Sequence, residues 1–200
     1  NFYMCVKDHF GEPSVRGRYL AEIEGVSHAL DTEEVARLHE KGIDILVIYN
    51  KISDARGYDH GVEHAEKAIV MAEALNVPED VAIFGDIEPN FKTDAEFLNG
   101  WYDTFSESPY IPAIYGVFNK DGNIHDVFLN AKEEAQNELI LWTAYPQEGI
   151  TTENDAPEFN PQGPENANLF GWQYGLDAET CNIDTNLFTN DMMEVLWKTE

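Results

Sequence analysis

The sequence predicts an α/β fold, a (β/α)8 TIM-type barrel, on three observations. Strand-like and helix-like segments alternate along most of the chain. The strand-like segments, such as IDILVIYN (43–50) and VAIFGDIE (81–88), are apolar on both faces. That pattern marks parallel strands packed on one side against helices and on the other inside a barrel. Finally, the chain has 200 residues, 43% of them hydrophobic, which suits one domain, 1–200, with a core of its own.

The elements follow in order. Residues 2–10 (FYMCVKDHF) read as a helix through Phe2 or Tyr3, Val6 and Phe10, although Phe2, Met4 and Val6 also alternate as in a strand. Gly11 and Pro13 then stop it. Residues 14–20 form a short strand. Asp31 with Glu34 resembles a capping box opening a helix that carries Val35 and Leu38 and closes at Gly42. After the strand at 43–50, a helix from about Tyr58 to Asn76 shows an Ala65, Ala68, Ile69, Ala72, Leu75 stripe. The strand at 81–88 leads to a helix capped by Thr93 with Glu96 and bearing Phe97, Leu98, Trp101, Tyr102 and Phe105. A strand at 110–118 precedes a polar helix reaching about Asn137. Strands at 139–145, 169–174 and 182–188 complete the chain, with a Pro- and Gly-rich loop from Pro146 to Asn168. Only seven strands are counted where a closed barrel needs eight. With 2–10 as a helix, the missing first strand is expected upstream of Asn1. A doubly wound open sheet is the alternative, but no Gly-rich phosphate loop supports a nucleotide site.

Composition narrows the function. Lys and Arg number 12 against 38 Asp and Glu, a formal net charge of −26. Nucleic acid and anionic lipid are bound through basic patches, so neither is an expected partner. The longest apolar run, Ile45–Tyr49, is too short to insert in a membrane, and no signal peptide is visible at the start. Cys5 and Cys181 are expected as free thiols in preference to one bridge. No organic cofactor or metal is expected. HGVEH (60–64) matches an inverted zincin pattern, but its helix reads as ordinary barrel cover with no acidic ligand helix after it. His9, His28, His39 and His125 are expected at the surface.

The chemistry concentrates in IFGDIEPN (83–90). Side chains alternate along a strand, so Asp86 and Glu88 point one way, above Ala82 and Phe84, while Ile83, Gly85 and Ile87 face the helices. Pro89 ends the strand and leaves both acids at its C-terminal end, the active end of a parallel barrel. Two carboxylates about 7 Å apart repel, so one pKa rises and a neutral acid stands beside an ionised partner. Glycoside hydrolysis requires that combination. Other strand ends contribute Arg18, Tyr49, Tyr115, Trp142, Tyr145, Trp172, Gln173 and Asn186 as substrate-binding candidates, with Tyr19 beside Arg18 and Asp184 as a third acid. Aromatic faces stack on sugar rings, and amides and carboxylates bond sugar hydroxyls.

The order of FGEPSVRGRYL (10–20), ALDTEEVARLHEKGIDILVIYN (29–50), GVEHAEKAIVMAEALNVPEDVAIFGDIEP (61–89), IPAIYG (111–116), LWTAY (141–145), GWQY (171–174) and NIDTN (182–186) resembles one known family. This is the bacterial glycoside-hydrolase-like TIM-barrel domain, long a domain of unknown function and related to family 25 muramidases. The resemblance spans nearly the whole chain. It implies that Asp86 and Glu88 correspond to the muramidase acidic pair and that Asp184 is the acid following the Trp-Gln-Tyr strand. It also implies an acid at the end of a first strand, which these residues do not contain. The expected function is hydrolysis of a bacterial cell-wall or related N-acetylated glycan, with Glu88, Asp86 and Asp184 catalytic. The alternative is a non-catalytic, glycan-binding or wall-associated barrel. The expected partner is a polysaccharide, the location extracellular or at the cell wall, with wall-binding modules appended.

Overall fold

In the computed structural model, which describes residues 2–199, seven strands form one sheet in sequence order. β1 (Val15–Tyr19), β2 (Asp44–Tyr49), β3 (Ala82–Asp86), β4 (Ile111–Gly116), β5 (Ile140–Thr143) and β6 (Asn168–Ala178) pair in parallel. β7 (Ile183–Phe188) returns antiparallel to β6. The sheet curls into a half-barrel with β1 and β7 at its ends. The first strand expected upstream of Asn1 lies outside the described residues.

The antiparallel last strand corrects the all-parallel expectation. Only residues 179–182 separate β6 from β7, and a parallel crossover needs a dozen residues or more. Cys181 and Asn182 take left-handed backbone angles to close this short turn.

Two apolar layers hold the sheet. Ile45, Val47, Tyr49, Ile83, Ile87, Ile114 and Leu141 face outward onto the helices. Leu46, Ile48, Ala82, Phe84, Ala113, Ile140 and Trp142 face inward. The C-terminal segment plugs the inner layer at the N-terminal ends of the strands. There Met192 and Leu196 join the inner core, and Trp197 exchanges backbone hydrogen bonds of 2.9 and 3.0 Å with Ile45. The opposite end, where the parallel strands finish, is left open.

The helices are α1 (Phe2–His9), α2 (Thr32–His39), α3 (Tyr58–Ala74), α4 (Ala95–Ser106), α5 (His125–Leu129), α6 (Glu133–Glu138) and α7 (Asn190–Glu194). Asp31 caps α2 by accepting the Glu34 N–H at 2.7 Å. Asp94, not Thr93, caps α4, accepting from Phe97 N–H and also from Gly57 N–H at the start of α3. The polar helix expected after β4 is two short helices, broken where the Lys132 N–H bonds the Asn99 side chain. His39 is half-buried, edge-on to Trp197, and His125 pairs with Asp126.

α3 and α4 meet through glycines. A Cβ on Gly61 would lie 2.2 Å from the Phe97 carbonyl oxygen, and one on Gly100 would lie 2.2 Å from that of Tyr58. Backbone cannot yield as a side-chain tip can. Gly61→Ala is therefore expected to lower stability, although alanine is the better helix former by about 1 kcal/mol. Thermal unfolding of the variant checks the sign.

Cys5 and Cys181 form a disulfide, which corrects the free-thiol expectation. The pairing spans 176 residues, and no local spacing announces it. It fastens α1 to the β6–β7 turn. A second tie is the Glu153 N–H bond to the Phe10 carbonyl at 2.7 Å. Closing so long a loop restricts the unfolded chain. The Cys5→Ser, Cys181→Ser double variant is expected to lose about 2–4 kcal/mol, read from urea unfolding; an unchanged midpoint would contradict this.

Candidate active site

Alternation in β3 sets the site. With Ala82 and Phe84 in the inner core, Asp86 and Glu88 rise above them at the open end, while Ile83 and Ile87 are buried beneath the helices. Pairing with β4 carries past the end of β3 through the Ile87 N–H bond to the Tyr115 carbonyl at 3.0 Å, which keeps Glu88 in register.

Because β7 runs backwards, its first residues reach the same end as the last residues of the parallel strands. Asp184 thus joins Asp86 and Glu88. Its Oδ1 accepts the Asp177 N–H at 2.9 Å, and its Oδ2 accepts from Gln173 Nε2 at 3.1 Å. Gln173 is buried, and its Oε1 accepts the Tyr115 hydroxyl at 2.6 Å. Tyr115, Gln173 and Asp184 therefore form a continuous hydrogen-bonded chain across β4, β6 and β7. Trp142 packs on Tyr115 with ring centroids 4.5 Å apart and donates to Asn186 Oδ1 at 3.0 Å. Gly171 leaves room for this indole, since a Cβ there would lie 2.9 Å from it.

The electrostatics are those of crowded acids. Burial, then the Glu88 charge, pushes Asp86 up to about 7. Its Oδ1 is buried without a hydrogen-bond partner. Glu88 is raised by burial and by Asp184. Asp184, open to solvent at the rim, is raised by partial desolvation against the lowering effect of the Asp177 N–H. Tyr19 and Tyr115 are raised by burial and by all three acids, which places both phenols within the field of the cluster.

These groups line a cleft of about 1450 Å3 that runs between the β1 and β7 sides of the sheet. Tyr145 stands exposed on its rim. Three other candidates direct their polar groups elsewhere, Tyr49 and Trp172 by strand alternation and Arg18, at the border of the cleft, through its ion pair. Arg18 commits its guanidinium to Glu34 of α2, at 2.8 and 2.7 Å, while its neighbour Tyr19 packs against the inner core. Tyr49 lies in the outer core with its hydroxyl 3.0 Å from His64 Nδ1. Trp172 is buried under the 146–162 loop, donating to the Pro146 carbonyl at 2.8 Å and meeting Phe159. Tyr19 replaces these three at the site. Its signal in the sequence was its parity with Val15, one position out of step with Arg18.

His60 and His64 do not join the cleft. Their Nε2 atoms are 3.1 Å apart, and both rings pack on Phe97 at the α3–α4 contact. Burial and the neighbouring His60 lower His64 to about 4. Among the described residues, no group of three or more His, Cys, Asp or Glu is placed to hold a metal ion.

The fold that carries this arrangement has known counterparts. The model of the Rv2525c-like, glycoside hydrolase-like domain matches residues 14–170. The chain belongs to this family. An uncharacterized B. stearothermophilus protein is similar, at 33% identity and a TM-score of 0.94, over 98% of this chain and 93% of that one. The Mycobacterium tuberculosis Tat-secreted protein Rv2525c shares the fold, in crystals with HEPES and with L-tartrate. Those structures are 15% and 14% identical, with TM-scores of 0.63 and 0.64 over 98% of this chain and 93% of each of theirs. No curated protein matches.

The acids give this Rv2525c-like domain a pH signature. Asp86 titrates near 4 when unfolded and at about 7 when folded. Between those values the folded state binds more protons, so stability falls as pH rises through the window. Glu88 contributes with the same sign. Asp86→Asn is expected to flatten this fall and to raise the unfolding midpoint above about pH 7. Midpoints measured across pH for both proteins check it; parallel curves would exclude the shift.

Proposed function

We propose that this domain is a glycoside hydrolase acting on a bacterial cell-wall or related N-acetylated glycan. The observation that carries the reading is the Asp86–Glu88 pair, two acids of raised pKa at the strand ends of an aromatic-lined cleft. Membership of a glycoside hydrolase-like family supports it. The half-barrel reads as a TIM-type (β/α)8 barrel, in which this end of the strands carries catalysis.

Glu88, the less recessed of the pair, gives its proton to the leaving glycosidic oxygen as the bond to the anomeric carbon breaks. The carbonyl oxygen of the substrate's own 2-acetamido group attacks that carbon from the other side. Asp86, its pKa pushed up to about 7, orients the acetamido group. Water, deprotonated by Glu88, then opens the cyclic intermediate. Asp184 sustains the raised pKa of Glu88, and Tyr19, Tyr115, Trp142, Tyr145, Gln173 and Asn186 bind the chain of sugars.

The width of the cleft, open along its β1–β7 side, favours a second reading, a glycan-binding barrel without turnover. An extracellular or wall-associated location is supported by the Cys5–Cys181 disulfide, which belongs to oxidising compartments, and by the secreted neighbour Rv2525c. Wall-binding modules elsewhere in the protein would fit that setting.

Reducing-end release from peptidoglycan and N-acetylated oligosaccharides tests the proposal. Glu88→Gln is expected to lower turnover by about 10²–10⁴-fold while retaining binding. Binding without release by the unaltered protein would select the second reading.

A further inference from the structure

We infer that the cleft takes a glycan carrying free amines, a partly de-N-acetylated hexosamine polymer with an ammonium group against Asp184 at the rim. This rests on the glycan reading above and names the chemical form of the sugar.

The argument begins with the charges that face the cleft. Asp86, Glu88 and Asp184 gather at its floor and rim, and Asp177 stands beside Asp184. Among the described residues none of the three clustered acids makes an ion pair. The arginines that border the cleft, Arg16 and Arg18, both spend their charge on Glu34 of α2, on the other side of β1. The acids are thus mutually repelling and uncompensated, and Asp86 Oδ1 has no donor. Hydroxyls of a neutral sugar supply donors but leave the repulsion in place. An ammonium supplies three donors and a full positive charge, and opposite charge nearby favours the ionised Asp184 carboxylate.

The walls show that the cation arrives on a sugar. Tyr19 and Tyr115, both half-buried, present rings beside the acids, surfaces on which a hexosamine stacks and a cation is attracted to the ring face. A bare metal ion or a flexible polyamine uses neither the width of the cleft nor the rings. The net charge of −26 acts in the same sense, concentrating cationic polymers at the cleft and repelling anionic ones.

The test is calorimetric titration of the full chain with glucosamine tetrasaccharide, N-acetylglucosamine tetrasaccharide and tetralysine. The amine sugar is expected to bind about tenfold or more tightly than the acetylated one, with a preference that shrinks as salt is raised. Asp184→Asn, with its circular dichroism spectrum unchanged, should abolish the preference for the amine sugar over the acetylated one. Glu133→Gln removes the same charge from exposed α6 and should leave the preference intact. Equal or tighter binding of the acetylated sugar overturns this inference and leaves the glycan reading standing. Tetralysine binding as well as the amine sugar, or Glu133→Gln acting as Asp184→Asn does, also overturns it, because charge alone then explains the attraction. If neither sugar binds, the glycan reading falls with it.

Discussion

The two-residue alternation of β3 is the constraint on which the rest of the structure depends. Ala82 and Phe84 must face the inside of the curled sheet, because Ile83 and Ile87 are committed to the helix layer. A shift of one residue would bury Asp86 and Glu88 under α3 and α4 and expose the isoleucines. The apolar packing of the strand therefore holds the acids in the cleft. Phe84, edge-on to Trp142, links that packing to the wall of the site. Core and cleft are the same residues viewed at successive levels.

The crowding of acids opposes folding, and the fold absorbs it at one end only. Met192 and Leu196 close the inner core at the opposite end, so Asp86 and Glu88 stand on an apolar floor with no counter-charge below them. Desolvation by that floor is the largest cause of both raised pKa values. A pair in open water at the same spacing would be screened and would titrate near ordinary values. The shifts thus come from the interior of the half-barrel more than from the pair itself. The Asp-x-Glu spacing becomes chemically informative only in that setting.

What was legible in the sequence follows the same physics. Strands and long helices were readable because their apolar periodicity is strong, and Asp86 with Glu88 because Pro89 fixes the strand end and the face is marked by its neighbours. Tyr49 and Trp172 were not, because β2 and β6 are apolar on both faces there and alternation gives no sign of which face is inside. Arg18 borders the cleft but has its charge engaged, for the opposite reason. A charged residue at a strand end suggests a site, yet Glu34 meets it on the helix side. The antiparallel return of β7 could have been seen, since the few residues after β6 cannot make a crossover. The disulfide could not, because 176 residues of intervening chain carry no trace of it.

These two features meet at Asp184. A parallel seventh strand would have carried this residue, near its start, to the plugged end of the half-barrel. The hairpin reverses the strand and delivers Asp184 to the open end, where Gln173 and the Asp177 N–H hold it. The turn that achieves this relies on left-handed angles at Cys181 and Asn182, which ordinary side chains resist. Cys181 is also the residue bonded to α1. The covalent tie therefore lies three residues from the third acid and stiffens the strand that presents it. Scaffold and site are coupled at this corner, where the helix preceding β1 fastens the strand at the other end of the sheet.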